Sequence, residues 1–339
     1  MTAETSGLVC GHHHLYSTLA RGMPAPPKQP STFLDILEQV WWRLDVALDL
    51  EMIRWSAMLG AVEALQSGCT AIIDHHESPA AIEGSLSVVA DACAEVGVRV
   101  VCAYGVTDRH GADGARRGLE ENDRFLRAGG RGFVGVHASF TCSDETLDAA
   151  AGLARDHGVG VHIHVAEAAD DRAAGTRLAS LAQHDWLLAH CVHLDRDLPG
   201  TIAHNPRSNM NNGVGYARPA ARPNPVVLGT DGIGADMLEE FRIAYVRHRE
   251  SDLCASPETA WSWLDNAYEL VPEARTDRVR WSYDHADSPW HVAFTPGIHA
   301  IDADIDGQPA LRDGVPTRVD LAEVHARAAE QAARLHALL

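Results

Sequence analysis

Eight short apolar runs, spread over residues 6–233 and most of them bounded by Gly, Asp or Asn, constrain this chain more than any other feature. They are SGLVCGHHH, CTAIIDHHE, VRVVCAYGV, GFVGVHASF, VGVHIHVAE, WLLAHCVHL, GTIAHNPRS and PVVLGTDGI. Each is rich in Val, Ile and Leu and too short for a buried helix, so each reads as a strand covered on both faces. Between them, DLEMIRWSAMLGAVEALQSG and SLSVVADACAEVG place apolar residues at three- and four-residue spacing and stop at Gly, as amphipathic helices do. Eight strand–helix units predict an α/β fold, a (β/α)8 TIM barrel.

The later connections are thin. Only about half a dozen residues join WLLAHCVHL to GTIAHNPRS, and ARPAARPNP precedes the last run, where a full crossover takes roughly a dozen residues. Either the barrel is trimmed there or eight strands is one too many. Beyond residue 250, SPETAWSWLDNAYEL reads as a helix capped by Ser256 with Pro257 in its first turn. IHAIDADIDGQPALRDG reads as a hairpin about Asp306-Gly307, and VDLAEVHARAAEQAARLHALL as a closing helix started by Asp320 and Glu323. The expected division is a barrel over residues 1–288 and a small appendage of C-terminal strands and helix over 289–339.

A formal charge of -19, from 28 basic and 47 acidic residues, argues against nucleic acid or an anionic membrane as a partner. The seven cysteines are widely spaced and never form CxxC, which suits a reducing cytoplasm, and no basic leader or long apolar span is visible. The expected location is cytoplasmic.

Barrel active sites form at the C-terminal ends of the strands. Of 20 histidines, eleven lie at or beside those ends: His12, His13, His14, His75, His76, His137, His162, His164, His190, His193 and His204. His12 and His14 are two apart on a strand and share a face, with His13 on the other. The GHHH cluster continues into a strand pattern, which sets it apart from a tag remnant. Glu167 follows His164 by three residues, just past a strand, and Asp231 in LGTDG offers a hard anionic ligand that can also accept a proton from bound water. Three imidazoles and one carboxylate with an open position suit a divalent ion, Zn2+ first, with Fe2+ or Mn2+ as alternatives. His162 and His193 read as flanking residues on the opposite strand face, with His162 a competitor for the place of His164. Asp74 and His76 read either as supports for the ligands or as pocket lining.

In GLVCGHHHLYSTLARGMP, SGCTAIIDHHESP, GVHASFTCSDETL, VHIHVAE, AHCVHL, HNPRSNMNN and LGTDG, the chain resembles the amidohydrolase superfamily. Within it, the resemblance is to the chlorohydrolase and aminohydrolase branch of guanine, 8-oxoguanine and S-adenosylhomocysteine deaminases and s-triazine hydrolases. It runs from about residue 7 to residue 235, and AFTPGIHAIDADIDGQPALRDGVPT is also similar. It implies one metal ion held by His12, His14, His164 and Asp231, with Glu167 moving protons, His190 bonded to the water or substrate, and His137 touching substrate. His76 is a second candidate for substrate contact. Two-metal members use a carboxylated lysine on the barrel; the sole lysine, Lys28, lies in the first loop, so one metal is expected.

The implied reaction is hydrolytic deamination of an amino-substituted nitrogen heterocycle. Ring opening of a cyclic amide or amidine, or dechlorination, would use the same site; a catalytically silent binding barrel is the reading from a different class. Members of this family usually carry some fifty or more residues before the first barrel strand, forming half of a small β-sandwich. Without them the C-terminal strands are expected to keep an unpaired edge, which a second subunit could cover, so a homodimer or higher homo-oligomer is expected.

Overall fold

The structure is a computed structural model and describes residues 3–339. All eight apolar runs are parallel strands: β2 (Leu8–His14), β3 (Cys69–His76), β4 (Arg99–Tyr104), β5 (Val134–Ala138), β6 (Val161–Val165), β7 (Leu187–His190), β8 (Thr201–His204) and β9 (Val226–Leu228). Two-residue β1 (Glu4–Thr5) precedes them, and β10 (Asp231–Gly232) extends the line of β9.

The strands form two parallel sheets, β10-β2-β3-β4 and β5-β6-β7-β8-β9. Backbone bonds between Phe133 and Cys102 and between His137 and Val106 join β4 to β5, while Thr230 N–H donates to His12 O on the other side. The arrangement is that of a (β/α)8 barrel. Its lower interior is filled by Val9, Ala71, Ile73, Val101, Leu187, Ala203 and Val227, with Tyr268 and Val271 among the residues packed with them.

The trimmed connections coexist with the full strand count. No helix lies between β7 and β8, and a single turn and a half, Pro206–Asn211, is the only α-helix between β8 and β9. By contrast, the helices Leu50–Gln66, Ser85–Val96, Gly111–Arg127 and Asp144–His157 are full crossovers.

The last strands are β11 (Arg278–Trp281), β12 (Ala300–Ile305), β13 (Gln308–Arg312) and β14 (Val315–Pro316), in an antiparallel sheet of order β1-β11-β12-β13-β14. The hairpin turns at Asp306 and Gly307, both at positive φ (54° and 70°), as its two-residue loop requires. Asp320 caps the closing helix Leu321–His336 by accepting from Ala322 N–H and Glu323 N–H.

Two expectations change here. Glu4 and Thr5 pair with Arg280 and Val279, so part of the edge expected to stay open is covered from within the chain, and two-residue β1 becomes the outer strand of that sheet. A division at residue 288 would also separate β11 from its neighbour β12. The β11 signal was missed because RVRW is short and charged. What fixes it is remote: the fully buried Trp281 ring lies where any side chain at Gly68 would sit, 2.1 Å from that position.

Candidate active site

The N-terminal strand reaches the site by means of one extra residue. Cys10 pairs with Ile72 but His13 pairs with Asp74, so three residues of β2 oppose two of β3. Such a bulge reverses the alternation. Val9 points into the barrel, and beyond the bulge His12 and His14 point inward as well, while His13 turns out to Thr230 Oγ1 at 2.7 Å. Gly11 sits in the bulge under β9, where a Cβ would come within 2.6 Å of Val227 Cγ2 and 2.8 Å of Leu228 O.

Four donors converge at the barrel mouth. His14 Nε2 lies 3.1 Å from His164 Nε2 and 3.0 Å from Asp231 Oδ1, and His12 Nε2 lies 3.3 Å from the same carboxylate oxygen. His14 Nδ1 donates to His75 O and His164 Nδ1 to His137 O, each at 2.6 Å. With both Nδ1 protons so placed, the two Nε2 atoms face each other and the Asp231 carboxylate, an arrangement that calls for positive charge between them, as a proton or as a metal ion. Charge tells the same story. Burial opposes it, yet the Asp231 carboxylate raises His14 to about 9, and the imidazoles of His12 and His14 beside it hold the Asp231 carboxyl well below its usual range despite its burial. The donor set fits a divalent metal ion.

Around this cluster the strand ends turn sharply. Ala166, His190, Cys191, Asp231 and Ile233 all have positive φ, between 48° and 71°, a conformation that costs of order 1–3 kcal/mol each and gathers at functional sites. Turning at Ala166 carries Glu167 over the donors without joining them. Its Oε2 is 3.5 Å from His190 Nε2 and its Oε1 accepts from Asn212 Nδ2 at 3.5 Å. Burial raises the Glu167 carboxyl to about 7, against the pull of His190. His190 Nδ1 donates to Asn209 Oδ1 at 2.7 Å, which aims Nε2 at Glu167 and at Asp231 Oδ2, 3.9 Å away. Asp231 Oδ2 also accepts from Ser208 Oγ.

The cleft over these groups opens to solvent. Phe33, Leu37, Trp41, Trp42 and Phe140 form an apolar wall; Glu77, His137, Asp171, Arg207 and Asn212 supply polar groups. Trp41 and Trp42 come from the β2–β3 connection, where a wide i to i+5 turn over Leu37–Trp41 interrupts the helical path. Arg109 stacks on Trp42 at 4.5 Å and bridges Asp45 and Glu77 at 2.7 and 2.9 Å.

Of the residues singled out in the sequence, His12, His14, His164, His190, Glu167 and Asp231 come together, and His137 lines the same cleft. His76 does not line it: it is fully buried between Tyr16 and Tyr104, 2.9 Å from Ser78 Oγ. Asp74 lies outside it too, accepting from Leu15 N–H at 2.7 Å.

The expectation for His162 is corrected. Being two residues from His164, it shares that face, one layer deeper, with Nε2 2.8 Å from His12 Nδ1. His193 is elsewhere, donating from Nε2 to Val214 O at 2.7 Å. His75 also belongs to the group: it offers a ligand atom within 4.8 Å of those of His14 and His164, and its parity with Ile73 was the signal for it. Arg207, Ser208, Asn209 and Asn212 were not legible as site residues, because a short helix after β8 and the residue that ends it carry them.

Residues 5–270 match the model of the amidohydrolase family. The chain belongs to that family. A 5'-deoxyadenosine deaminase of Methanopyrus kandleri is 35% identical over 274 residues, 72% of this chain and 61% of that protein. A 5-methylthioadenosine/S-adenosylhomocysteine deaminase of Pelotomaculum thermopropionicum is 33% identical over 277 residues, again 72% and 61%. This amidohydrolase thus spans about three fifths of the length of those two curated relatives. Among solved structures, an adenosine deaminase from Xanthomonas campestris with bound zinc superposes with a TM-score of 0.82 at 20% identity, over 99% of this chain and 86% of that one. An atrazine chlorohydrolase variant from Arthrobacter aurescens, complexed with zinc and atraton, gives 0.82 at 20% identity, over 97% and 88%. Such distant likenesses establish the shared barrel. Among the described residues, no helix is long and apolar enough to cross a membrane.

Proposed function

We propose that this amidohydrolase is a metal-dependent deaminase of adenosine-type nucleosides, exchanging the exocyclic amine of the base for oxygen with release of ammonia. The observation that carries this reading is the position of Glu167, a partly buried carboxyl beside the donor cluster yet outside it, raised to about 7 by desolvation. Passive metal or ligand binding has no use for such a group. The names of the two curated relatives support the nucleoside class, and the tryptophan and phenylalanine wall suits a flat base.

His12, His14, His164 and Asp231 would hold the ion, with zinc the first candidate. When bound, it supplies a water acidic enough to ionise near neutral pH. Asp231 Oδ2 accepts the proton of the attacking water, since Oδ1 faces the histidines. Glu167 delivers its proton to the adjacent ring nitrogen, the proton taken up by Asp231 passes to the departing amine, and the second proton of the water returns to Glu167. In net balance the two protons of the water end on the ring nitrogen and on ammonia; a pKa near neutrality suits this shuttle. His190, fixed by Asn209, steadies the developing negative charge on oxygen. His137 and Glu77 stand across the cleft as contacts for the rest of the substrate.

The test is ammonia release from 5'-deoxyadenosine, 5'-methylthioadenosine, adenosine and a panel of free pyrimidines and triazines, with the metal content of the protein measured beforehand. Turnover confined to the adenosine series is expected. Metal-loaded protein that leaves every one of these nucleosides untouched would overturn the nucleoside reading, and substrate loss without ammonia would move the reaction to ring opening or dechlorination.

A further inference from the structure

Asp231 occupies the left-handed region at φ 59°, and Ile233, a β-branched residue for which that region is a true outlier, does so as well at φ 59°. Strand pairing on one side does not explain how this stretch keeps its shape, because β10 is only two residues long. One side chain spans the turn. Arg207 Nη2 donates to Thr230 O at 2.7 Å and to Gly232 O at 3.1 Å, the carbonyls immediately before and after Asp231. Its own orientation is fixed from behind: Arg207 Nε donates to Glu240 Oε1 at 2.8 Å, and Arg207 N–H to Glu240 Oε2 at 3.3 Å. Glu240 is almost wholly buried on the helix Met237–Ser251 and lies outside the cleft. No bond runs from Arg207 to Asp231 itself, so any influence passes through the backbone.

We propose that Arg207, braced by Glu240, is a positioning residue that holds Asp231 in its left-handed conformation and thereby sets the affinity of the histidine–aspartate cluster for its metal ion. A guanidinium suits this task because its planar fork places one edge on a carboxylate and another on two carbonyls at once. The inference rests on the reading of His12, His14, His164 and Asp231 as the metal site.

The test compares wild type with Arg207→Met/Glu240→Leu and with Arg207→Lys. Glu240 is buried and Arg207 only partly so; removing both charges together avoids the carboxylate that removing Arg207 alone would strand in the interior. Zinc affinity is read by chelator competition, the donor geometry by the visible spectrum of the cobalt-loaded protein, and the fold by thermal melting without metal. Zinc binding roughly tenfold to a hundredfold weaker in the double variant, with an altered cobalt spectrum and a melting temperature close to wild type, is expected. Arg207→Lys, which keeps the charge but cannot span both carbonyls, should fall between. Unchanged affinity and spectrum in either folded variant would overturn the role of Arg207. Wild-type protein that binds no metal at all would instead overturn the reading of the site.

Discussion

His12 Nδ1 lies 2.8 Å from His162 Nε2, so the first imidazole of the cluster is oriented by another imidazole from across the barrel. With Nε2 of His12 turned to the donors, Nδ1 carries the proton and His162 accepts it. His162→Phe leaves that buried N–H without an acceptor, a loss of about 1–3 kcal/mol. Zinc affinity should drop roughly tenfold to a hundredfold by chelator competition, and His162→Gln, which restores an acceptor, should recover part of it. Equal zinc affinity in His162→Phe and wild type would show that His12 needs no such support.

Glu167→Gln tests the proton shuttle. The amide fills the same space but cannot exchange a proton, so turnover on a demonstrated nucleoside substrate should fall by about 10²–10⁴-fold. Metal content should stay at the wild-type level, because Glu167 stands outside the donor cluster. Full turnover in this variant would rule out the mechanism given above.

Gly11→Ala tests the bulge in β2. Its Cβ would press on Val227 Cγ2 and on the backbone oxygen of Leu228, which cannot move without shifting β9. Overpacking of this kind costs roughly 1–3 kcal/mol, and a displaced bulge re-aims His12 and His14. Both a lower melting temperature and weaker zinc binding are expected; a drop in one without the other would separate packing from ligand aim.

His204 sets a pH dependence. It is fully buried between Tyr216 and Trp263 with neither ring nitrogen bonded, and burial lowers it to about 3. The unfolded chain takes up this proton near pH 6.5 and the folded chain does not, so the contribution is intact above pH 6.5. It is lost progressively as pH falls toward 3, at up to about 1.4 kcal/mol per pH unit. In urea titrations between pH 7 and 4.5, His204→Phe should show a shallower acid loss than wild type by about one proton; parallel curves would mean that His204 is protonated in the fold.

The barrel was legible because its signal is local. Near-continuous apolar runs such as CTAIIDHH bury both faces, and that requirement is written in consecutive residues. The two-residue spacing of His12 and His14 and the place of Glu167 just past β6 were equally plain. β1 and β11 were not, since Glu4–Thr5 and RVRW carry no pattern of their own and become strands only by pairing with each other and with β12.

What the sequence by itself determined, then, is the set of barrel strands and the two-residue spacing that puts His12 and His14 on one face. Which face that is was decided by the tertiary structure. The extra residue of β2 reverses its alternation because Gly11 must pass beneath Val227 and Leu228. In the same way, Asp231 takes a left-handed turn between two carbonyls gripped by Arg207. Alternation is a property of one strand, whereas a bulge or a strained turn is stable only when neighbours from distant parts of the chain hold it.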